Sequence, residues 1–151
     1  MKTYKDGSSK DTSFVNEPLI SYQILDDYRS LNLIQKIREG ISMKSFQAIK
    51  HFIKFTMTEW STVLHISERT INRYEKENKN FDPNYSEKIY ELLMLYKFGI
   101  EVFGSEHTFH QWMDTTNPSL GGSTPKSLLD SNIGTNLIKQ ELGRIQHGIF
   151  A

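Results

Sequence analysis

Residues 56–77 read TMTEWSTVLHISERTINRYEKE, and how this stretch folds decides the architecture of the chain. Thr56 and Glu59 have the spacing of a capping box, in which the threonine oxygen accepts the Glu59 amide and the carboxylate reaches back to the Thr56 amide. Phe55 and Trp60 stand where a hydrophobic staple needs them. A helix is therefore predicted to start after Thr56, to carry Trp60, Val63 and Leu64 on one face, and to stop at His65-Ile66-Ser67. Ser67 can cap a second helix from Glu68 to about Lys76, with Ile66 and Ile71 as a second staple. Two short helices joined by a three-residue turn over residues 57–77 have the layout of a helix-turn-helix. In that unit the first helix braces a second, whose N-terminal side chains enter the major groove.

On the second helix the spacing turns Ile71 and Tyr74 inward and leaves Arg69, Thr70, Asn72 and Arg73 toward solvent. Arginine can read guanine and asparagine adenine through paired hydrogen bonds. These four residues, with Ser67, are the DNA-contact candidates. The alternative is a plain helical hairpin with a solvated polar face. The charge just upstream favours DNA: from residue 36 to 56, Lys36, Arg38, Lys44, Lys50 and Lys54 stand against one acid, Glu39. The chain as a whole hides this gradient, because Lys plus Arg and Asp plus Glu both total 18. From residue 101 onward Glu101, Glu106, Asp114, Asp130 and Glu141 outnumber Lys126, Lys139 and Arg144, so one half suits phosphate and the other suits something else.

Outside this core the pattern stays helical. Leu33, Ile34 and Ile37 form a stripe ending at Gly40, and Phe46, Ile49, Phe52 and Ile53 form another after a Ser42 cap. Asp82-Pro83 is a start signal, a capping acid before a proline at the first helical position. Ile89, Leu92, Leu93, Tyr96, Ile100 and Phe103 give the longest stripe, closed by Gly104. Ser105 can cap a short helix holding Phe109, Trp112 and Met113, and Leu137, Ile138, Glu141, Leu142 and Ile145 form the last one. No period-two alternation is long enough for a strand, and the expected fold is all-α. Residues 1–13 are polar and aperiodic and are expected to be a disordered leader.

Several chemistries lack support. With 151 residues and no cysteine, the chain needs no disulfide staples and has no thiol chemistry or cysteine-ligated zinc. No apolar run approaches the ~20 residues of a membrane span, and a cytoplasmic location is expected. His107-x-x-His110 has helical spacing but no further ligand nearby, so two surface histidines are expected rather than a metal site. No nucleophile stands beside a base and an orienting acid, so no catalytic residue, cofactor or metal is expected. Residues 117–125, NPSLGGSTP, lack the Gly-Lys-Ser/Thr ending and the preceding strand of a phosphate loop. They read as a bend in which Asn117-Pro118 stops one helix, the glycines allow positive φ, and Thr124-Pro125 starts a helical turn with Leu128 and Leu129. Trp112, Leu120 and Leu128 surround this bend with more apolar bulk than an idle connector needs.

Across most of residues 31–151 the sequence resembles the Xre/MbcA/ParS-like antitoxins, partners of RES-domain toxins. The most specific matches are VFG at 102–104, WM at 112–113, NPSLGGSTP at 117–125, LLD at 128–130 and LGRIQHGIFA at 142–151. IREGI at 37–41, SERT at 67–70 and SEK at 86–88 are similar to the family's more variable N-terminal half. The resemblance implies two parts, a helical N-terminal part over 14–98 that holds a Cro/C1-like helix-turn-helix and a C-terminal toxin-binding part over 99–151. It also implies a homodimer, blockade of the active site of a RES toxin that consumes NAD⁺, and repression of its own operon through operator DNA. It assigns toxin contacts to Asn117, Pro118, Leu120, Gly121, Gly122 and Pro125, and to Arg144, Ile145, Gly148, Ile149, Phe150 and Ala151. Lys88 departs from the arginine common there, and Glu68, Glu75 and Glu77 dilute the charge of the reading helix. The rival reading is a stand-alone regulator whose C-terminal part dimerises.

Overall fold

The computed structural model describes residues 27–148; the expected leader and residues 149–151 of the tail lie outside them. Among the described residues the chain folds into seven α-helices and two 3-10 turns, with no strand. Helices α1 (Asp27–Glu39), α2 (Met43–Ile53), α3 (Met57–Leu64) and α4 (Glu68–Glu77) precede the long α5 (Pro83–Phe103). After it come α6 (Glu106–Asp114), the turns Pro118–Leu120 and Pro125–Leu128, and α7 (Asn132–Gln146).

The helix ends fall where local chemistry directs them. Ser42, Ser67, Ser105 and Thr124 each accept an amide of the turn that they open, and at Thr56 both halves of the capping box form. Each such cap stabilises by about 1 kcal/mol. Gly40 and Gly104 close α1 and α5 in the left-handed region, as expected. Asp82 differs: it has the extended backbone of a cap, yet its side chain makes no capping hydrogen bond, so Pro83 at the first position carries that helix start.

All layers are laid on α5. Its residues from Leu92 to Gly99 are buried without interruption, because α1, α2 and α3 pack on it from the N-terminal part and α6 and α7 from the C-terminal part. The expected division between residues 98 and 99 thus falls inside a helix that both parts share. A chain of rings crosses the same ground. Phe46 meets Trp60 at 5.1 Å and Phe81 at 4.7 Å, and Phe55 meets both Trp60 at 5.1 Å and Tyr96 at 5.7 Å. Tyr96 then meets Phe109 of α6 at 5.1 Å. Each edge-on or tilted pair adds about 0.5–1.5 kcal/mol to the burial of its rings.

Gly99 is where α6 presses hardest on α5, since a Cβ there would overlap the Phe109 ring. Gly99→Ala should gain about 1 kcal/mol of helix propensity but lose about 1–3 kcal/mol to overpacking, for a net destabilisation. Urea unfolding checks this; a raised midpoint would show that the Phe109 ring can move aside.

Candidate functional site

Helices α3 and α4 meet through a three-residue turn fixed by short contacts. His65 takes a left-handed backbone with φ 56°, and the Ser61 hydroxyl donates to the Ile66 carbonyl at 2.6 Å. The Thr58 hydroxyl donates to Glu68 at 2.7 Å, joining the first turns of the two helices. Ile71 and Tyr74 are buried, which sets the rotation of α4 and leaves Arg69, Asn72 and Arg73 exposed together. Thr70 differs from the solvent-facing expectation, whereas Ser67 is exposed and caps the helix as expected. The Ser67 hydroxyl accepts the Thr70 amide at 3.1 Å and lies 2.9 Å from the Thr70 hydroxyl, so both hold the helix start and Thr70 is half-buried. Of the acids expected to dilute this helix, Glu75 is spent on Lys50 at 2.7 Å and Glu68 on Thr58.

The second region is the bend at residues 117–125. Asn117 organises it: its side chain accepts the Ser119 amide at 2.9 Å, its carbonyl accepts Leu120 and Gly122 at 3.0 Å each, and its amide donates to Ser123 at 3.0 Å. The Gly121 amide donates to Pro118 at 3.2 Å and that of Ser123 to Leu120 at 3.3 Å. Every amide from 119 to 123 is therefore consumed within the loop. An anion cradle needs such amides free and convergent, so the bend, not the phosphate loop, is what this geometry builds. Gly121 and Gly122 have φ of 68° and 80°, and nothing lies within 4 Å of where their Cβ atoms would be. The turn needs their backbone freedom, and their outer side is open.

A lysine fastens this region to the helix-turn-helix. Lys126 Nζ lies 2.7 Å from Glu59, 3.2 Å from Asp114 and 5.5 Å from the centre of the Phe55 ring. Partial burial works against its charge, but the hydrogen bonds to Glu59 and Asp114 outweigh that and raise the pKa above its ordinary 10.5. At the other end of α3, the His65 ring Nε2 donates to the Asp130 carbonyl at 2.7 Å. The segment 124–130 thus grips both ends of α3. Neither contact was foreseen, because each joins residues more than sixty apart.

The remaining expectations are met unevenly. Pro118, Gly121, Gly122, Arg144 and Gly148 are exposed, while Asn117, Leu120 and Ile145 are half-buried. Pro125 is buried and starts the second turn, so it shapes the loop from inside. Ile149, Phe150 and Ala151 lie outside the described residues. The turn Pro125–Leu128 that follows the loop packs on the N-terminal end of α7, where a Cβ at Gly134 would overlap the Leu128 carbonyl. Arg144 is ten residues further along, about 15 Å at 1.5 Å per residue. Loop and tail are therefore not one patch by themselves.

His110 is half-buried against Tyr96 at 5.5 Å between ring centres rather than at the surface; burial lowers its pKa, against the opposing pull of Glu106. Among the described residues no group of three or more His, Asp or Glu is placed to hold a metal. No described helix is long and apolar enough to cross a membrane.

Two family descriptions match the chain. Residues 33–94 match the antitoxin Xre-like helix-turn-helix domain, and residues 99–148 match the antitoxin Xre/MbcA/ParS C-terminal toxin-binding domain. The chain is similar to Antitoxin Xre of Yersinia enterocolitica, 26% identical over 82% of this chain and 84% of that one. It is also similar to Antitoxin Xre of Photorhabdus laumondii, 25% identical over 76% and 78% of the two chains.

Lys126→Met should lower stability by about 0.5–1 kcal/mol near neutral pH. Because the folded pKa of Lys126 is raised, the amine's contribution is complete below about 10.5 and is lost as pH rises through the folded value. The gap between wild-type and variant urea midpoints should hold to about pH 9 and shrink in stronger alkali. A gap that persists there would mean that Lys126 acts through its alkyl chain.

Proposed function

Since the chain belongs to the Xre-type antitoxins, with a helix-turn-helix domain and a toxin-binding C-terminal domain, we propose that it neutralises a RES-domain toxin that consumes NAD⁺ and represses its own operon. In this reading it acts in the cytoplasm as a homodimer. The bend and the α7 tail occlude the toxin's active site, and α4 reads the operator. No catalytic step is assigned to the antitoxin; any nucleotide belongs to the partner.

The observation that carries the reading is the internally bonded bend. Its amides are closed to phosphate, yet Pro118 and the two glycines present open backbone to which another protein can pack closely. That suits a protein-binding surface and gives a nucleotide nothing to hold. On the DNA side, Arg69 and Arg73 make no ion pair within 4 Å among the described residues, so their guanidinium groups stand ready for base edges or phosphate. The tail sequence Gly148-Ile149-Phe150 offers apolar side chains after a glycine, an anchor that suits a pocket on a partner protein.

Two variants separate the two surfaces. Arg69→Ala combined with Arg73→Ala should weaken operator binding, each by about 1–3 kcal/mol where a base contact is lost, and leave toxin neutralisation intact. Operator titration of the double variant checks this; equal affinity would move the DNA surface off α4. Deleting residues 149–151 should release growth arrest in cells carrying the toxin gene while thermal unfolding stays unchanged. Full protection by the truncated chain would remove the tail from the mechanism.

A further inference from the structure

Helix α7 carries an exposed stripe that neither the bend nor the tail explains. Ile133 is 77% exposed and Leu137 44%, and they are the exposed large hydrophobic residues of the C-terminal domain among those described. The sequence pattern places Leu137 in the core stripe with Ile138 and Leu142, but those two are fully buried and Leu137 is not. At 100° per residue, Ile133, Leu137, Gln140 and Arg144 share one face, about 150° round from the line through Ile138 and Leu142. An exposed isoleucine and leucine one turn apart on a single face differ from the scattered apolar residues of an ordinary surface.

We propose that Ile133 and Leu137 form the apolar centre of the toxin-binding surface. This rests on the reading above that the C-terminal domain holds a RES-domain toxin. Three observations select that occupant. First, the stripe lies within residues 99–148, which match a toxin-binding domain, whereas the other exposed large hydrophobics, Leu31 and Leu31's neighbour on the next turn, Ile34, lie outside it. Second, it fills the gap left by the other candidates. The turn Pro125–Leu128, which follows the bend, packs beside Gly134 at the start of α7, and Arg144 stands near its end; Ile133 lies next to that turn and Leu137 between it and Arg144. A partner that reaches from that turn to Arg144 runs along this stretch of the helix. Third, the face suits an uncharged contact with a polar rim. Asn136 and Gln140 flank the pair, Glu141 is buried and holds Arg144 at 3.2 Å, and no acid of α7 is exposed. Interfaces concentrate their energy in such apolar centres ringed by polar groups.

The test uses the full chain, the RES-domain protein expressed from the same operon, and the variants Ile133→Asp with Leu137→Asp and Ile133→Ala with Leu137→Ala. Thermal unfolding verifies the fold, and light scattering gives the mass of each free antitoxin. The aspartate pair should weaken toxin binding at least about tenfold and the alanine pair by less, with operator affinity and free mass unchanged. Toxin affinity unchanged in both pairs would overturn the proposal. A fall in the free chain's mass to that of a monomer, with toxin affinity retained, would also overturn it and assign the stripe to a second copy of this chain. Absence of toxin binding by the wild-type chain would refute the functional reading itself, a result distinct from wild-type binding that the variants leave intact.

Discussion

The ring-to-ring core that crosses α5 is the constraint on which the rest depends. Tyr74 on the second helix of the helix-turn-helix touches Phe81 at 5.3 Å, and contacts through Phe46, Trp60, Phe55 and Tyr96 lead to Phe109, which meets Trp112 of the toxin-binding domain at 6.2 Å. Interiors packed to crystal-like density do not deform freely, so a shift at one end must be absorbed by repacking rather than by slack. Burial of every residue from Leu92 to Gly99 has the same effect on α5, which needs cover on all sides and receives it from both domains. Family boundaries at 94 and 99 separate two ancestries of sequence, but they do not separate two cores.

Around that core, short polar contacts set finer positions. Glu59 serves two masters: one carboxylate oxygen accepts the Thr56 amide at 2.8 Å to start α3, and the other takes Lys126 at 2.7 Å from the toxin-binding side. His65 ends α3 in a left-handed turn and spends its ring on Asp130. The first helix of the helix-turn-helix is thus defined at both ends by residues that also touch segment 124–130. The helix-turn-helix and the C-terminal domain therefore share one frame, although the exposed residues of α4 and of the bend are separate.

What the sequence discloses here is local. Capping boxes, staples and positive-φ glycines act across three or four residues, and Thr56, Ser67, Ser105, Gly40 and Gly121 could all be read from spacing. Pairings across the fold could not. Nothing near Lys126 in the chain points to Glu59, and nothing near Lys88 points to its Thr135 partner 3.0 Å away, so the roles of these lysines had to come from packing. Periodicity also cannot tell an apolar residue that meets a neighbour from one at the edge of the same stripe. Leu137 and Ile138 differ by one position, and only the placement of α7 against α5 decides which is covered.

Charge shows the same limit more sharply. The sequence offers a basic stretch at residues 36–56 and an acidic C-terminal half, which suggests phosphate for one and a basic cleft for the other. Much of that contrast is spent inside the fold, because Lys54 holds Glu106 at 2.9 Å, Lys50 holds Glu75, Lys126 holds Asp114, and Arg144 holds Glu141. Opposite charges that neutralise each other at contact distance project little field beyond a Debye length of about 8–10 Å. Attraction to a toxin must then come less from the net acidity of the domain than from where apolar and backbone surface is left open. The bend at 117–125 fits that logic: its donors are satisfied, its glycines face open space, and it offers a partner shape rather than charge.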